Sequence, residues 1–325
     1  MKNISILVPE GAKLGSIEGS HEAFREVNNI LSANGKSPLF DVNLVGLSKE
    51  VRLNNGLYNV KTNKLIKDVK KTDLIIIPAF QGDLQKALEV NRRFIPWIVD
   101  QYNLGAEVAS LCVGAFLLAA TGLVNGKQCS THWRAANDFR KKFPDVNLVV
   151  DKVLTDELGI YSSGGAYSST NLILYLIEKY AGREMAVFCS KFFQLDIERD
   201  SQSPFIMFKG QKEHEDEHII KAQEFIENNY QDKITVNQIA TICALSRRNL
   251  ERRFKKATTN TVVEYIQRVK VEAAKQSLES SRENVNEVMY NVGYSDPKAF
   301  RTTFKKITGL SPIQYRNKYS RQIAV

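Results

Sequence analysis

Apolar and polar positions follow two different rhythms along this chain. Over residues 1–182, short β-rich apolar runs are separated by stretches whose apolar residues recur every three or four positions. That alternation predicts an α/β domain, a parallel sheet flanked by helices in the flavodoxin-like manner. The spacing places strands at 4–9, 40–47, 74–77, 106–111 and 147–150, and helices at 20–33, 84–102, 113–121, 133–143 and 168–180. Gly182 stands just past the last of these, where a helix often ends. Residues 183–210 are mixed, 201–205 (SQSPF) reads as a loop, and a helical pattern restarts within KEHEDEHIIKAQEFIENNY. The expected organisation is therefore a domain at 1–182, a linker at 183–215 and an all-α domain at 216–320.

The helical part contains an internal repeat. VNQIATICALSRRNLERRFKKAT at 236–258 resembles VNEVMYNVGYSDPKAFRTTFKKIT at 285–308, with one extra residue in the turn of the second copy. Each copy reads as a helix, a tight turn and a second helix opened by a capping residue, Ser246 in one and Asp296 followed by Pro297 in the other. Those are helix-turn-helix proportions. Ile239, Leu245, Leu250 and Phe254 are the expected core of the first unit, and Val288, Tyr294, Phe300 and Phe304 that of the second. Residues 262–280 keep a helical period through Val263, Ile266, Val269, Ala273 and Ala274 and read as one connecting helix.

Charge sharpens this division. Residues 233–325 hold 18 Lys and Arg against 7 Asp and Glu, whereas residues 1–232 hold 27 against 29. All the excess positive charge sits at the helical end, as expected when that end alone meets a polyanion. If the core residues face inward, the opposite face of each second helix carries Arg247, Arg248, Glu251, Arg252, Lys255 and Lys256, or Lys298, Arg301, Thr302, Lys305 and Lys306. Such faces suit a major groove, where Arg grips guanine and Glu accepts from cytosine. No apolar run reaches the roughly 20 residues that a membrane helix needs. With four scattered cysteines, Cys112, Cys129, Cys189 and Cys243, the expectation is a reducing, cytoplasmic location.

Residues 215–317, above all VGYSDPKAFRTTFKKITGLSPIQYR at 292–316, resemble the AraC/XylS family of transcription regulators. The resemblance implies sequence-specific binding of double-stranded DNA, contact with the transcription machinery and, more often than not, activation. It implies base reading by Arg248, Glu251 and Arg252 in the first unit and by Lys298, Arg301 and Thr302 in the second. Arg247, Lys255, Lys256, Lys305 and Lys306 are then the phosphate neighbours.

In the other half, EVASLCVGAFLLAATG runs a strand into Cys112 and straight on into a helix, a nucleophile-elbow arrangement with small residues two before (Ser110) and two after (Gly114). The amides of that helix N-terminus are expected to favour a thiolate. SLCVGAF at 110–116, CSTHW at 129–133 and YSSGGAYSSTNLILYLIE at 161–178 resemble the DJ-1/PfpI group of the class I glutamine-amidotransferase-like fold. The resemblance implies a pocket at Cys112, Val113, His132, Gly164 and Gly165 that takes a small-molecule effector, with related fusions responding to nitrogenous metabolites, and a domain that forms homodimers. Catalysis is not expected: Val113 stands where the group's proteases carry a histidine, and the acidic candidates Glu10 and Glu18 are out of register. The rival reading is a cysteine-dependent amidase or glyoxalase-like enzyme, with Cys112 and His132 as its catalytic pair and a DNA-binding anchor.

No cofactor or metal is expected. His214 and His218 spell H-E-x-x-H, with both histidines on one helical face, but within a solvated acidic stretch that offers no third ligand. Cys129 and His132 have no second pair to complete a zinc site. Trp97 and Trp133 read as packing residues.

Overall fold

A computed structural model describes residues 1–165, 169–196, 201–212 and 214–320. Ser168, expected to open a helix, lies outside these, as do Ala166 and Tyr167 of the quoted motif. The chain forms two compact units, 1–202 and 203–325.

The first unit runs β1 (Lys2–Leu7), α1 (Leu14–Ala33), β2 (Phe40–Gly46), β3 (Glu50–Leu53), β4 (Tyr58–Lys61), β5 (Lys64–Leu65), β6 (Leu74–Ile77), α2 (Leu84–Val90), α3 (Phe94–Asn103), β7 (Glu107–Leu111) and α4 (Ala115–Ala120). It continues through β8 (Gln128–Cys129), α5 (Ala136–Lys142), β9 (Asn147–Leu148), β10 (Leu154–Glu157), β11 (Ile160–Ser163), α6 (Ser169–Ala181) and α7 (Arg183–Phe192). The main sheet has the order β10-β11-β7-β6-β1-β2-β5 and is parallel except for the β10–β11 hairpin. Alternate strand residues feed two cores. Ile4, Ile6, Leu74 and Ile76 pack under α1, α6 and α7, while Leu7, Val45, Ile75 and Ile77 pack under α2 to α5.

Several elements differ from expectation, each for a local reason. The helix expected at 84–102 is broken because the buried Asn91 side chain bonds the carbonyls of Ala87 and Glu10 and accepts from the Glu10 amide. β11 escapes the periodicity reading because all four of its residues are buried, two of them serines, and Ser162 Oγ finds partners at Ser130 N (2.6 Å) and Thr155 Oγ1 (2.6 Å). The first unit extends past 182: α7 packs against α1 and α6 through buried Ala186 and Cys189, so part of the expected linker is core.

The second unit comprises α8 (Glu217–Asn228), α9 (Val236–Ile242), α10 (Arg247–Thr258), α11 (Val262–Ser280), α12 (Val285–Asn291), α13 (Pro297–Thr308) and α14 (Pro312–Tyr319). The repeat is structural. In each turn the αL residue, Ala244 or Gly293, donates to the carbonyl three before it, and the next residue, Leu245 or Tyr294, donates to the carbonyl five before it. At each second-helix end a buried threonine, Thr258 or Thr308, donates to Phe254 O or Phe304 O at 2.8 Å. α11 divides its burial: Val262, Tyr265, Ile266 and Val269 join the core of the first unit, and Val271, Ala274 and Leu278 that of the second. Val263, expected in this stripe, is instead 50% exposed, because Val262 takes the inward position.

Buried Lys270, at the junction of the two cores, donates to Val292 O (3.0 Å), Gly293 O (3.1 Å) and Asp232 O (3.2 Å). It thereby ties α11 to the C-terminus of α12, where a cation is favoured. Burial lowers its pKa against the opposing influence of the Asp232 charge, and three carbonyls bind the ammonium.

The two turns predict opposite mutational effects. Ala244 holds φ +52° with a Cβ, so Ala244→Gly should stabilise the second unit by about 1 kcal/mol. Gly293 holds φ +74°, and a Cβ there would lie 2.2 Å from Gln231 O, so Gly293→Ala should cost about 2 kcal/mol or more. Urea midpoints read on the helical unit check both; equal effects would contradict the turn geometry.

Candidate nucleic-acid interface and candidate pocket

α10 is capped by Ser246, whose Oγ accepts from Asn249 N at 3.3 Å, and α13 by Asp296, whose Oδ1 accepts from Lys298 N at 2.8 Å. Both helices bury one stripe, Leu250, Phe254 and Thr258 in the first and Phe300, Phe304 and Thr308 in the second. The stripe turns the other side chains outward. Arg247, Arg248, Glu251, Arg252, Lys255 and Lys256 are all exposed, as are Lys298, Arg301, Thr302, Lys305 and Lys306. Two pairs order the α10 face: Arg247 Nε meets Glu251 Oε1 at 3.1 Å, and Arg252 Nη2 donates to Asn249 Oδ1 at 3.0 Å.

Arg253 was not singled out in the sequence, and it has a different part. Its guanidinium grips Asp216 at 2.8 and 2.6 Å, and Asp216 also caps α8 through Ile219 N. The guanidinium holds the Asp216 carboxyl below its ordinary range. This fork pins α10 to the start of α8, so one of the arginines of the RRNLERR run is scaffold. The H-E-x-x-H reading is corrected at the same place. Asp216 starts the helix at Glu217, which leaves His214 before it, on Gln223 Oε1 (3.0 Å), while His218 meets Cys243 O (3.0 Å).

In the first unit, Cys112 follows β7 directly, with φ +54° at a buried position, the strained geometry of an elbow. Small residues are required around it: a Cβ on Gly114 would lie 2.6 Å from Pro78 O. A 3-10 turn, Cys112–Gly114, precedes α4. The shell is built of hydroxyls, with Cys112 N donating to Ser163 Oγ at 3.4 Å and Thr131 Oγ1 donating to Cys112 O at 3.1 Å. These contacts bring the candidates Cys112, Val113, His132, Gly164 and Gly165 to the C-terminal ends of β7 and β11, where open α/β sheets bind ligands.

The expected activation of the thiol does not follow. Burial raises the Cys112 pKa, outweighing the Val113 N–H and the nearby Lys13 charge that favour the thiolate. His132 is lowered by burial, then by Lys13 and Arg134, and its Nδ1 accepts from Arg134 N at 3.1 Å. A residue that sequence reasoning missed is Lys13, whose charge acts on both Cys112 and His132; the cavity of about 250 Å³ that it lines with Gly15, Asn54, Tyr58 and Gln81 includes none of the five pocket candidates. Its position after β1 was a sequence-level hint, since the loops after parallel strands form the binding edge.

The two units thus define a chain in which an α/β domain with a buried elbow cysteine accompanies a duplicated helix-turn-helix scaffold. By family model, residues 20–179 match the DJ-1/PfpI family and residues 239–318 a helix-turn-helix domain. The HTH-type transcriptional regulator GbdR of Pseudomonas aeruginosa is 26% identical over 227 residues, covering 69% of this chain and 61% of that protein. CdhR, an HTH-type transcriptional regulator of the same organism, is 24% identical over 82% of this chain and 78% of its own length. The crystal structure of an AraC family transcriptional regulator from Pseudomonas putida covers 59% of this chain and 100% of that one, with TM-score 0.50 and 18% identity, a likeness of fold. The chain therefore spans about three fifths of the length of GbdR. Among the described residues, no helix is long and apolar enough to cross a membrane.

The raised Cys112 pKa predicts a protonated, slow thiol at neutral pH. Alkylation by iodoacetamide, followed by peptide mass spectrometry, should still be accelerating as pH passes 9, the ordinary thiol value. A rate that levels off near neutral pH would show a stabilised thiolate and contradict the burial argument.

Proposed function

We propose that this chain is a sequence-specific DNA-binding transcription regulator, an activator, controlled by a small-molecule effector taken up by its first unit. The observation that carries the reading is the pair of capped, outward-facing basic helices built into one scaffold. Double-stranded DNA is the partner whose charge and groove width suit them. Arg248, Glu251 and Arg252 read bases from α10, and Lys298, Arg301 and Thr302 from α13. Arg247, Lys255, Lys256, Lys305 and Lys306 neutralise phosphates. The Arg247–Glu251 and Arg252–Asn249 pairs preorganise the α10 face before contact.

The effector site is assigned to Cys112, Val113, His132, Gly164 and Gly165, with Lys13 at its edge, and a nitrogenous metabolite is the ligand class in view. The protein works as a homodimer in the cytoplasm and engages the transcription machinery from DNA. Cys112 has no catalytic role in this account, because burial keeps its thiol protonated and so without an activated nucleophile. In this reading the effector domain is the first unit, which runs past the expected bound of 182 to 202, and the DNA-binding domain is 216–320 within the second.

Selection of duplexes from a random pool by the full chain, followed by footprinting, tests the reading. The chain should recover one recurring site. Arg252→Ala should cost about 1–3 kcal/mol on that site and relax the preference at one base pair, whereas Lys305→Ala should weaken all duplexes alike and lower the salt slope by about one. Recovery of no preferred sequence, or identical behaviour of the two variants, would refute it.

A further inference from the structure

The first unit ends at Gln202 and the second begins at Ser203, and each of these ends is anchored within its own unit. On the first side Gln202 is 2% exposed. Its main-chain N–H donates to Asp151 O at 2.8 Å, and its Nε2 donates to Thr131 O (3.1 Å), Lys152 O (3.3 Å) and Ser130 Oγ (3.4 Å). The nook exists because residue 164 is glycine: a Cβ there would fall 2.1 Å from Nε2. Thr131 is also the residue whose hydroxyl holds Cys112 O. A chain of two hydrogen bonds therefore joins the candidate pocket to Gln202.

The fit is incomplete. Gln202 Oε1 is buried and, among the described residues, has no partner. Turning the amide over gives no relief, because Oε1 would then face the three oxygens that now surround Nε2. The inserted side chain thus carries the cost of an unpaired buried acceptor.

On the second side, the segment from Ser203 is strapped to the DNA-binding scaffold. The Phe205 ring meets Tyr319 of α14 at 6.3 Å and lies under Lys318 Nζ. Ile206 O accepts from buried Lys275 of α11 at 2.6 Å, and Phe208 N donates to Glu272 of α11 at 3.0 Å. Phe208 packs on Tyr265, inside the core of the first helix-turn-helix unit.

We propose that Gln202 is a releasable latch: its side chain, seated against Gly164 and Thr131 behind Cys112, holds the strap at 203–208 in one setting, and displacing it changes how the helical unit engages DNA. The proposal rests on the regulator reading, with the pocket at Cys112 as the place where displacement begins. A rearrangement of Thr131 on ligand uptake removes the best of the three acceptors of Nε2. The remaining partners leave an amide already short of one hydrogen bond. Release then frees Ser203 from its fixed neighbour and slackens the strap on α11, the helix shared by both reading units.

The test uses the full chain, the duplex selected above and three variants, Gln202→Ala, Gly164→Ala and the double substitution. Gln202→Ala removes the latch, and Gly164→Ala expels it while leaving Gln202 in the sequence. Each single variant should shift the duplex dissociation constant at least fivefold in the same direction. Each should also speed hydrogen exchange across 203–208 at least fivefold, with exchange in α6 unchanged. The double variant should match Gln202→Ala within twofold, because the new Cβ then has nothing to displace. Exchange and affinity both within twofold of the parent, or single effects that multiply in the double variant, would overturn the latch. If the parent selects no duplex, the regulator reading fails, while the exchange pattern still decides whether Gln202 holds the strap.

Discussion

The second unit depends on one helix serving two cores. α11 is 19 residues long, about 28 Å at ~1.5 Å per residue, and gives its first half to one helix-turn-helix unit and its second half to the other. Both cores draw buried side chains from it, four in the first and three in the second. Lys270 stands where the ownership changes, and its three carbonyl partners fix the second turn to the shared helix. The separation and relative rotation of α10 and α13 are thereby set by packing within the unit. A duplex with regularly spaced grooves is the kind of partner for which such a fixed pair of helices has a use.

The first unit follows a different physical rule. Its elbow places Cys112 at a strained φ at the C-terminal edge of a parallel sheet, an arrangement that elsewhere serves nucleophiles. Burial works against a thiolate here, because desolvation outweighs the hydrogen bond and the cation that favour it. What the edge retains is a set of buried hydroxyls and carbonyls, Ser130, Thr131, Ser162 and Ser163, whose hydrogen bonds run from Cys112 to Gln202. A network of that kind suits transmission better than turnover, since a change in one partner must be answered by the next.

Much of this was legible in the sequence, for identifiable reasons. The capped repeats, the inward stripes and the bounds of α11 follow from helical periodicity and from cap residues that act locally. The face opposite Phe254 and Phe304 is exposed as the period requires. β11 and the Gln202 nook were not legible, because they depend on serines and glycines whose partners lie 30 or more residues away, as Ser130 and Ser162 do. The β3–β4 hairpin is an intermediate case, since its Asn54-Asn55-Gly56 turn is a signal that the sequence did carry. Arg253 shows a further limit. Its spacing places it near the basic face, and only the structure reveals that Asp216 claims it.

The claim that most needs a direct measurement is that α10 and α13 act as one rigid reading head. A selected duplex can be lengthened by about five base pairs, roughly half a helical turn, between the two segments protected in a footprint. Rigid spacing predicts that affinity falls to the level of an unrelated sequence and that only one segment stays protected. Full affinity with both segments protected would contradict the account, because the two units would then have to move independently about α11.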